Sequence, residues 1–270
     1  MERRAEPGLD GILPAAAGLP AAGLAAVQLS AVDLRQAATL DDGEQRLAVS
    51  FGSGIRRDRF LAGRIALRGH AAAVAGVRAG ALRADFACRE CSKDDRVHGM
   101  PRYQAGPDGP AVLASLSRTG DWCLLAATAD EQVLGVGVDL EDATAAGFAG
   151  FPEVALSERE RQHLQRMEPA LRPEVQTLLW ARKEAVLKAL GRGLAFIDPS
   201  LVDVAGPVPL LPDFAGAPEI GREYRWLVDA VLPDSLGLPG SFVAAVAVRT
   251  AAGGRYDTAW KDAHGRPFLP

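Results

Sequence analysis

The chain has 270 residues, 48% of them hydrophobic and 24% charged, with a formal net charge of −4. These values suit a soluble globular protein of one large domain or two modest ones, long enough to bury a real core. They speak against a protein built as a whole for nucleic acid, and no apolar run reaches the roughly 18 residues of a membrane span.

The first segment, 1–23, imitates a signal peptide with its early arginines. Pro7, Gly8, Asp10, Gly11 and Pro14 interrupt its apolar part, so no continuous apolar region of about 7–15 residues survives. It reads as a flexible leader and the protein as cytoplasmic. Leu24–Leu34 reads as a strand, "DDGEQRLAVSF" and "RRDRFLAGRIALRGHAAAVAGV" as helices. In the second helix Phe60, Leu61, Ile65 and Leu67 are candidate core residues; Arg56, Arg57, Arg59, Arg64 and Arg68 are basic. The stretch from Arg89 to Pro110 reads as loop. Cys88 and Cys91 form a CxxC with His98 following, and Cys123 is the obvious fourth candidate. A zinc site, a redox pair and plain reduced thiols are all open, with thiols the simplest reading.

Three strand-like runs follow, "AVLASLS", "WCLLAAT" and "QVLGVGVDLE". The polar breaks "RTGD" and "ADE" between them suit hairpin turns. Ser157 and Glu160 have the spacing of a capping box that opens a helix. A second helix runs from Pro173, suited to a first helical turn, to a stop at Gly191. "YRWLVDAVL" and "SFVAAVAV" read as the last strands. The order predicts an α+β fold in two halves, 24–132 and 133–250, with a tail at 251–270.

Chemistry concentrates in two places. In "LGVGVDLE", alternate side chains share a face: Leu134, Val136, Val138 and Leu140 form an apolar one, and Gly135, Gly137, Asp139 and Glu141 the other. Glycine within a strand marks close approach of a ligand or of another backbone, and two carboxylates side by side suit a hard divalent cation such as magnesium. In "WARKEAVLKALGRG", Leu179, Val186, Leu187 and Leu190 make an apolar stripe at about 100° per residue. Trp180, Glu184 and Lys188 line up beside it at i, i+4, i+8, and Lys183 projects near its centre. Three carboxylates with a lysine suit a metal-bound phosphate or diphosphate, and the arginines from Arg56 to Arg64 suit a further phosphate.

These residues carry a resemblance. Gly137-Val138-Asp139-Leu140-Glu141, followed about forty residues on by Trp180, Lys183, Glu184, Ala185, Lys188, Gly191, Gly193 and Leu194, is similar to the paired signature of Sfp-type 4′-phosphopantetheinyl transferases. The resemblance implies a pseudo-dimer of two similar α+β halves with the active site in the cleft between them. It implies transfer of the 4′-phosphopantetheine group of coenzyme A to a serine of an apo-carrier protein (acyl, peptidyl or aryl), with release of 3′,5′-ADP. Mg²⁺, or Mn²⁺, would be held by Asp139, Glu141 and Glu184. Glu184 would help deprotonate the carrier serine and Lys188 would pair with the diphosphate. Coenzyme A would be bound through Arg57, Arg59, Arg64, His98, Pro101, Arg102, Ser117, Arg118, Thr119 and Lys188. Partners would be carrier proteins or carrier domains of polyketide, nonribosomal-peptide or siderophore synthases, and the enzyme would be a monomer. Two positions depart from the family pattern. Ser117-Arg118-Thr119 stands where Ser-His-Ser/Thr is usual, and Gly99-Met100-Pro101 where Gly-Arg/Lys-Pro is usual. Arg118 keeps a positive charge; Met100 does not. A non-catalytic binder of coenzyme A or carrier protein, and a metal-dependent nucleotide phosphohydrolase, are the alternatives.

Overall fold

A computed structural model describes residues 23–86, 99–191, 197–206, 208–212 and 224–251. In the first half, strand β1 (Leu24–Gln28) leads to helices α1 (Asp42–Ser50) and α2 (Ile55–Ala75). Strands β2 (Leu82–Ala84), β3 (Arg102–Ala105), β4 (Ala111–Thr119) and β5 (Trp122–Thr128) follow. The second half comprises strand β6 (Val133–Asp142), helices α3 (Phe151–Ala155), α4 (Glu158–Arg166) and α5 (Arg172–Leu190), then strands β7 (Tyr224–Val231) and β8 (Phe242–Ala251). The result is the mixed helix-and-sheet architecture expected.

The described strands form an antiparallel sheet in the order β1-β5-β4-β3-β2 and a second in the order β6-β8-β7. Period-2 alternation divides each between two cores. On the first sheet Val112, Ala114, Cys123, Leu125 and Ala127 pack with Leu67, Ala71 and Ala72 of α2. On its other face Leu124 and Ala126 meet Val136, Val138 and Leu140 of β6 and Ala244, Val246 and Val248 of β8. Val243, Ala245, Ala247 and Val228 then turn outward to α5. The layers run α2, first sheet, second sheet, α5.

Several expectations need correction. The strand expected to Leu34 ends at Gln28, because Asp121 captures the backbone N–H of Ser30 at 3.1 Å and its hydroxyl at 2.5 Å and turns the chain. The break "ADE" is not a hairpin: β5 is paired on both sides, with β1 and β4, so β6 crosses to the other sheet and pairs with β8. "RTGD" is a hairpin turn, with Gly120 in the left-handed region at φ 58°. The expected loop at Arg89–Pro110 contains β3, and β2 was not anticipated; both are too short to show a period. Cys88, Cys91 and His98 lie outside the described residues, as do the leader 1–22 and the tail beyond Ala251. Cys123 is a free, fully buried thiol pushed up to about 12 by burial, which makes it inert at neutral pH.

Helix α5 is the element that places the site. Pro173 lies in its first turn, and Gly191 closes it at φ 70°, donating to the carbonyls of Leu187 and Lys188. The single apolar stripe read from sequence is too narrow. From Val175 to Leu190 every residue is buried except Trp180, Glu184 and Lys188, the row at i, i+4, i+8. The helix lies against the glycine face of β6. A Cβ at Gly135 would stand 1.9 Å from the carbonyl oxygen of Ala189, and one at Gly137 would stand 1.9 Å from that of Ala185. The glycines therefore admit a backbone, with Ala185 and Ala189 as the matching small residues on the helix. Gly137→Ala must push the whole helix outward, and overpacking of this kind costs about 1–3 kcal/mol or more. The expected outcome is a lowered denaturant midpoint in urea unfolding with an unchanged slope; a wild-type midpoint would refute the contact.

Candidate active site

The close approach of α5 to β6 brings Asp139 and Glu141 of the strand beside Glu184 and Lys188 of the helix. Lys188 Nζ lies 2.6 Å from Asp139 Oδ1 and donates to the Val138 carbonyl at 3.1 Å. Ser117 Oγ, from β4 in the other half, donates to the same Asp139 oxygen at 2.7 Å. Asp139 is only 3% exposed, and its Oδ2 has no hydrogen-bond partner among the described residues. Glu141 is half-buried; burial first, then the Asp139 charge, raises its pKa to about 7, against Lys188 and a hydrogen bond from the Trp180 side chain. Glu184 is raised in the same way, by burial and then by Asp139, with Lys188 opposing. Three carboxylates thus repel one another around one lysine. A cluster in that state gains from a further positive charge.

The donor set bears on the expected metal. Among the described residues no group of three or more His, Cys, Asp or Glu side chains forms a preformed metal site, and Asp139 is engaged by Lys188. The chemistry nonetheless fits a hard cation: all three donors are carboxylates, one buried oxygen is orphaned, and the charge is under-compensated.

The basic residues divide. Arg57 and Arg59 are exposed on the first turns of α2. Arg118 extends across α2, its Nη1 donating to the Arg59 carbonyl at 3.1 Å and its Cδ lying 3.0 Å from where a Cβ on Gly63 would be. Burial first, and Arg64 last, lowers its pKa, with Cys123 acting in the opposite direction. Arg64 is enclosed: it pairs with Glu44 at 3.9 Å and lies over the Phe86 ring at 4.6 Å. It belongs with Arg68, 1% exposed, which pairs with Asp41 and Glu44 and donates to the Leu82 carbonyl at 2.8 Å. That network ties α2 to the start of α1 and to β2. Arg102 is exposed on β3, and Pro101 is half-buried with its carbonyl accepting from Ala114 N at 2.9 Å. Met100 packs by Gly191, where a Cβ would lie 3.8 Å from its own, so this segment covers the C-terminal end of α5. The Thr119 hydroxyl donates to the Leu140 carbonyl at 2.5 Å.

Lys183 does not face the acidic cluster. Its side chain is wholly buried, 2.7 Å from Glu160, and donates to the carbonyls of Pro199, at 2.7 Å, and Val202. Glu160 closes the predicted capping box: it accepts from Ser157 N and, through its other oxygen, from Val204 N, each at 2.8 Å. Two contacts within the cluster go beyond the sequence reading: Ser117, expected among the coenzyme A contacts, also holds Asp139, and Trp180, in the same helical row as Glu184, hydrogen-bonds to Glu141.

The site is thus a half-buried cluster of three carboxylates around one lysine, set between β6 and α5. The model of the 4′-phosphopantetheinyl transferase superfamily matches residues 135–229, the span that contains most of β6, all of α5 and most of β7. Two solved structures from Chronobacterium ammoniagenes are similar to part of the chain, an ACPS–CoA complex at 21% identity and an apo-ACPS structure at 22%. Each similarity covers 43% of this chain and 96% or 95% of the other, with TM-scores of 0.34 and 0.35. No curated protein matches the chain. Among the described residues no helix is long and apolar enough to cross a membrane.

Proposed function

We propose that the protein is a 4′-phosphopantetheinyl transferase of the Sfp type, moving the arm of coenzyme A to a serine of an apo-carrier protein. The observation that carries this reading is the convergence of Asp139, Glu141, Glu184 and Lys188 within the region that the superfamily model matches. The two halves, each a strand, helices and further strands, are read as a pseudo-dimer with the substrate between them.

The carrier serine oxygen attacks the phosphorus that bears pantetheine, the bridging P–O bond breaks, and 3′,5′-ADP leaves with the bridging oxygen. Glu184, its basicity raised by burial and by Asp139, takes the serine proton. Lys188 is poised on Asp139 to neutralise charge on the diphosphate as it departs. A divalent cation held by Asp139, Glu141 and Glu184 would supply further charge neutralisation for the diphosphate. Trp180 steadies Glu141, and the buried surround of Asp139 excludes water, which favours the serine over hydrolysis. Arg118, which crosses α2 beside Arg59, is proposed with Arg57 and Arg59 for the 3′-phosphate, and Pro101, Arg102, Thr119 and His98 remain proposed coenzyme A contacts.

Incubation with a panel of apo-carrier proteins and coenzyme A, read by intact mass, should show addition of the phosphopantetheine arm to one or more of them. Consumption of coenzyme A without any carrier would favour the phosphohydrolase. Binding without turnover on every carrier would favour the non-catalytic relative. Arg118→Ala should raise the KM for coenzyme A more than for dephospho-coenzyme A. Equal changes would move Arg118 from the 3′-phosphate to a packing role on α2.

A further inference from the structure

Strand β6 is the edge of its sheet among the described residues, so its outward backbone groups have no strand to pair with. Hydroxyls from the other half take that place. Ser115, Ser117 and Thr119 stand at alternate positions of β4, hence on one face. Val138 N donates to Ser115 Oγ at 3.1 Å, and Thr119 Oγ1 donates to the Leu140 carbonyl at 2.5 Å. The middle hydroxyl behaves differently: Ser117 reaches the Asp139 side chain, on the oxygen that Lys188 also holds. Two donors on Oδ1 and none on Oδ2, in a residue 3% exposed, fix which carboxylate oxygen is committed and which is presented. Lysine alone would not do this, because its flexible four-carbon stem lets the ammonium follow either oxygen.

We infer that Ser117 is a positioning residue of the acidic site, pinning Asp139 Oδ1 beside Lys188 so that Oδ2 is held out for a divalent cation. The inference rests on the transferase reading of the site. It makes the first half of the chain a contributor to cation affinity through β4, although all three carboxylates belong to the second half.

The test compares Ser117→Thr with Ser117→Val, which share a shape and differ by the hydroxyl, alongside Ser117→Ala, Ser115→Ala and Asp139→Ala in the full chain. Mn²⁺ binding is titrated by electron paramagnetic resonance with coenzyme A present, and melting temperature is measured in parallel. Loss of a partner that orients a metal ligand typically weakens metal binding about 10–100-fold. Ser117→Val and Ser117→Ala should show a loss of that order, while Ser117→Thr and Ser115→Ala keep wild-type affinity. If the threonine and valine variants differ in melting temperature but bind Mn²⁺ equally, Ser117 is only part of the seam between sheets and the inference fails. The transferase reading fails separately, if Asp139→Ala binds Mn²⁺ as tightly as wild type.

Discussion

Glu184→Gln is expected to fold normally and to lose at least about 100-fold in kcat for carrier modification, since general base catalysis is typically worth about 10²–10⁴-fold. Glu184 is one of the three residues that break the burial of α5 between Val175 and Leu190. Its carboxyl is destabilised by burial and by Asp139, so the neutral amide, similar in shape, removes a repulsion as well as a base. Its melting temperature should therefore match or slightly exceed that of wild type. A surface Glu paired with Lys188 behaves in the opposite way, with a stability loss of about 0.2–0.5 kcal/mol and no change in rate. Single-turnover transfer to an apo-carrier protein, followed by intact mass, separates the two. Wild-type rates would remove Glu184 from the chemistry.

The second large effect is on stability and lies outside the acidic cluster. Lys183→Met leaves Glu160 buried without its ammonium, and breaking a buried ion pair costs about 3–5 kcal/mol. That is a large share of the roughly 5–15 kcal/mol that holds a domain folded. Glu160 also organises the start of α4 and receives Val204 N, so the loss should loosen α4 and the segment after α5 together. Urea unfolding should show the drop, and Glu160→Gln in the same background should recover part of it by removing the uncompensated charge. At temperatures where Lys183→Met remains folded, kcat should be close to wild type. A rate loss without a stability loss would return Lys183 to the cleft.

Both residues come from the same eleven-residue stretch, Trp180 to Leu190, and only their surroundings separate their roles. What the sequence by itself determined was local and periodic. Alternation set the two faces of β6 from Gly135 to Glu141, while Leu134, expected on the apolar face, is exposed where the register shifts between Val133 and Gly135; helical spacing put Trp180, Glu184 and Lys188 in one row. Pro173, Gly191 and the Ser157–Glu160 capping box marked helix ends where the chain does begin and end helices. Each of these signals rests on neighbours within a few residues, which a sequence displays directly. The glycines at 135 and 137 announced a close approach but left its partner open, since a ligand and a backbone demand the same missing Cβ.

Tertiary structure decided the partners. It laid the backbone of α5 on those glycines, gave Lys183 to Glu160 and Lys188 to Asp139, enclosed Arg64 with Glu44 and Phe86, and turned Ser117 toward Asp139. It also sent β6 to the second sheet, because β5 had no free edge to offer it. Such outcomes depend on which buried charge finds a counter-charge and which strand edge is still unpaired. Those are competitions between segments tens of residues apart, settled by desolvation and by hydrogen bonds that must be satisfied, and no local spacing records them.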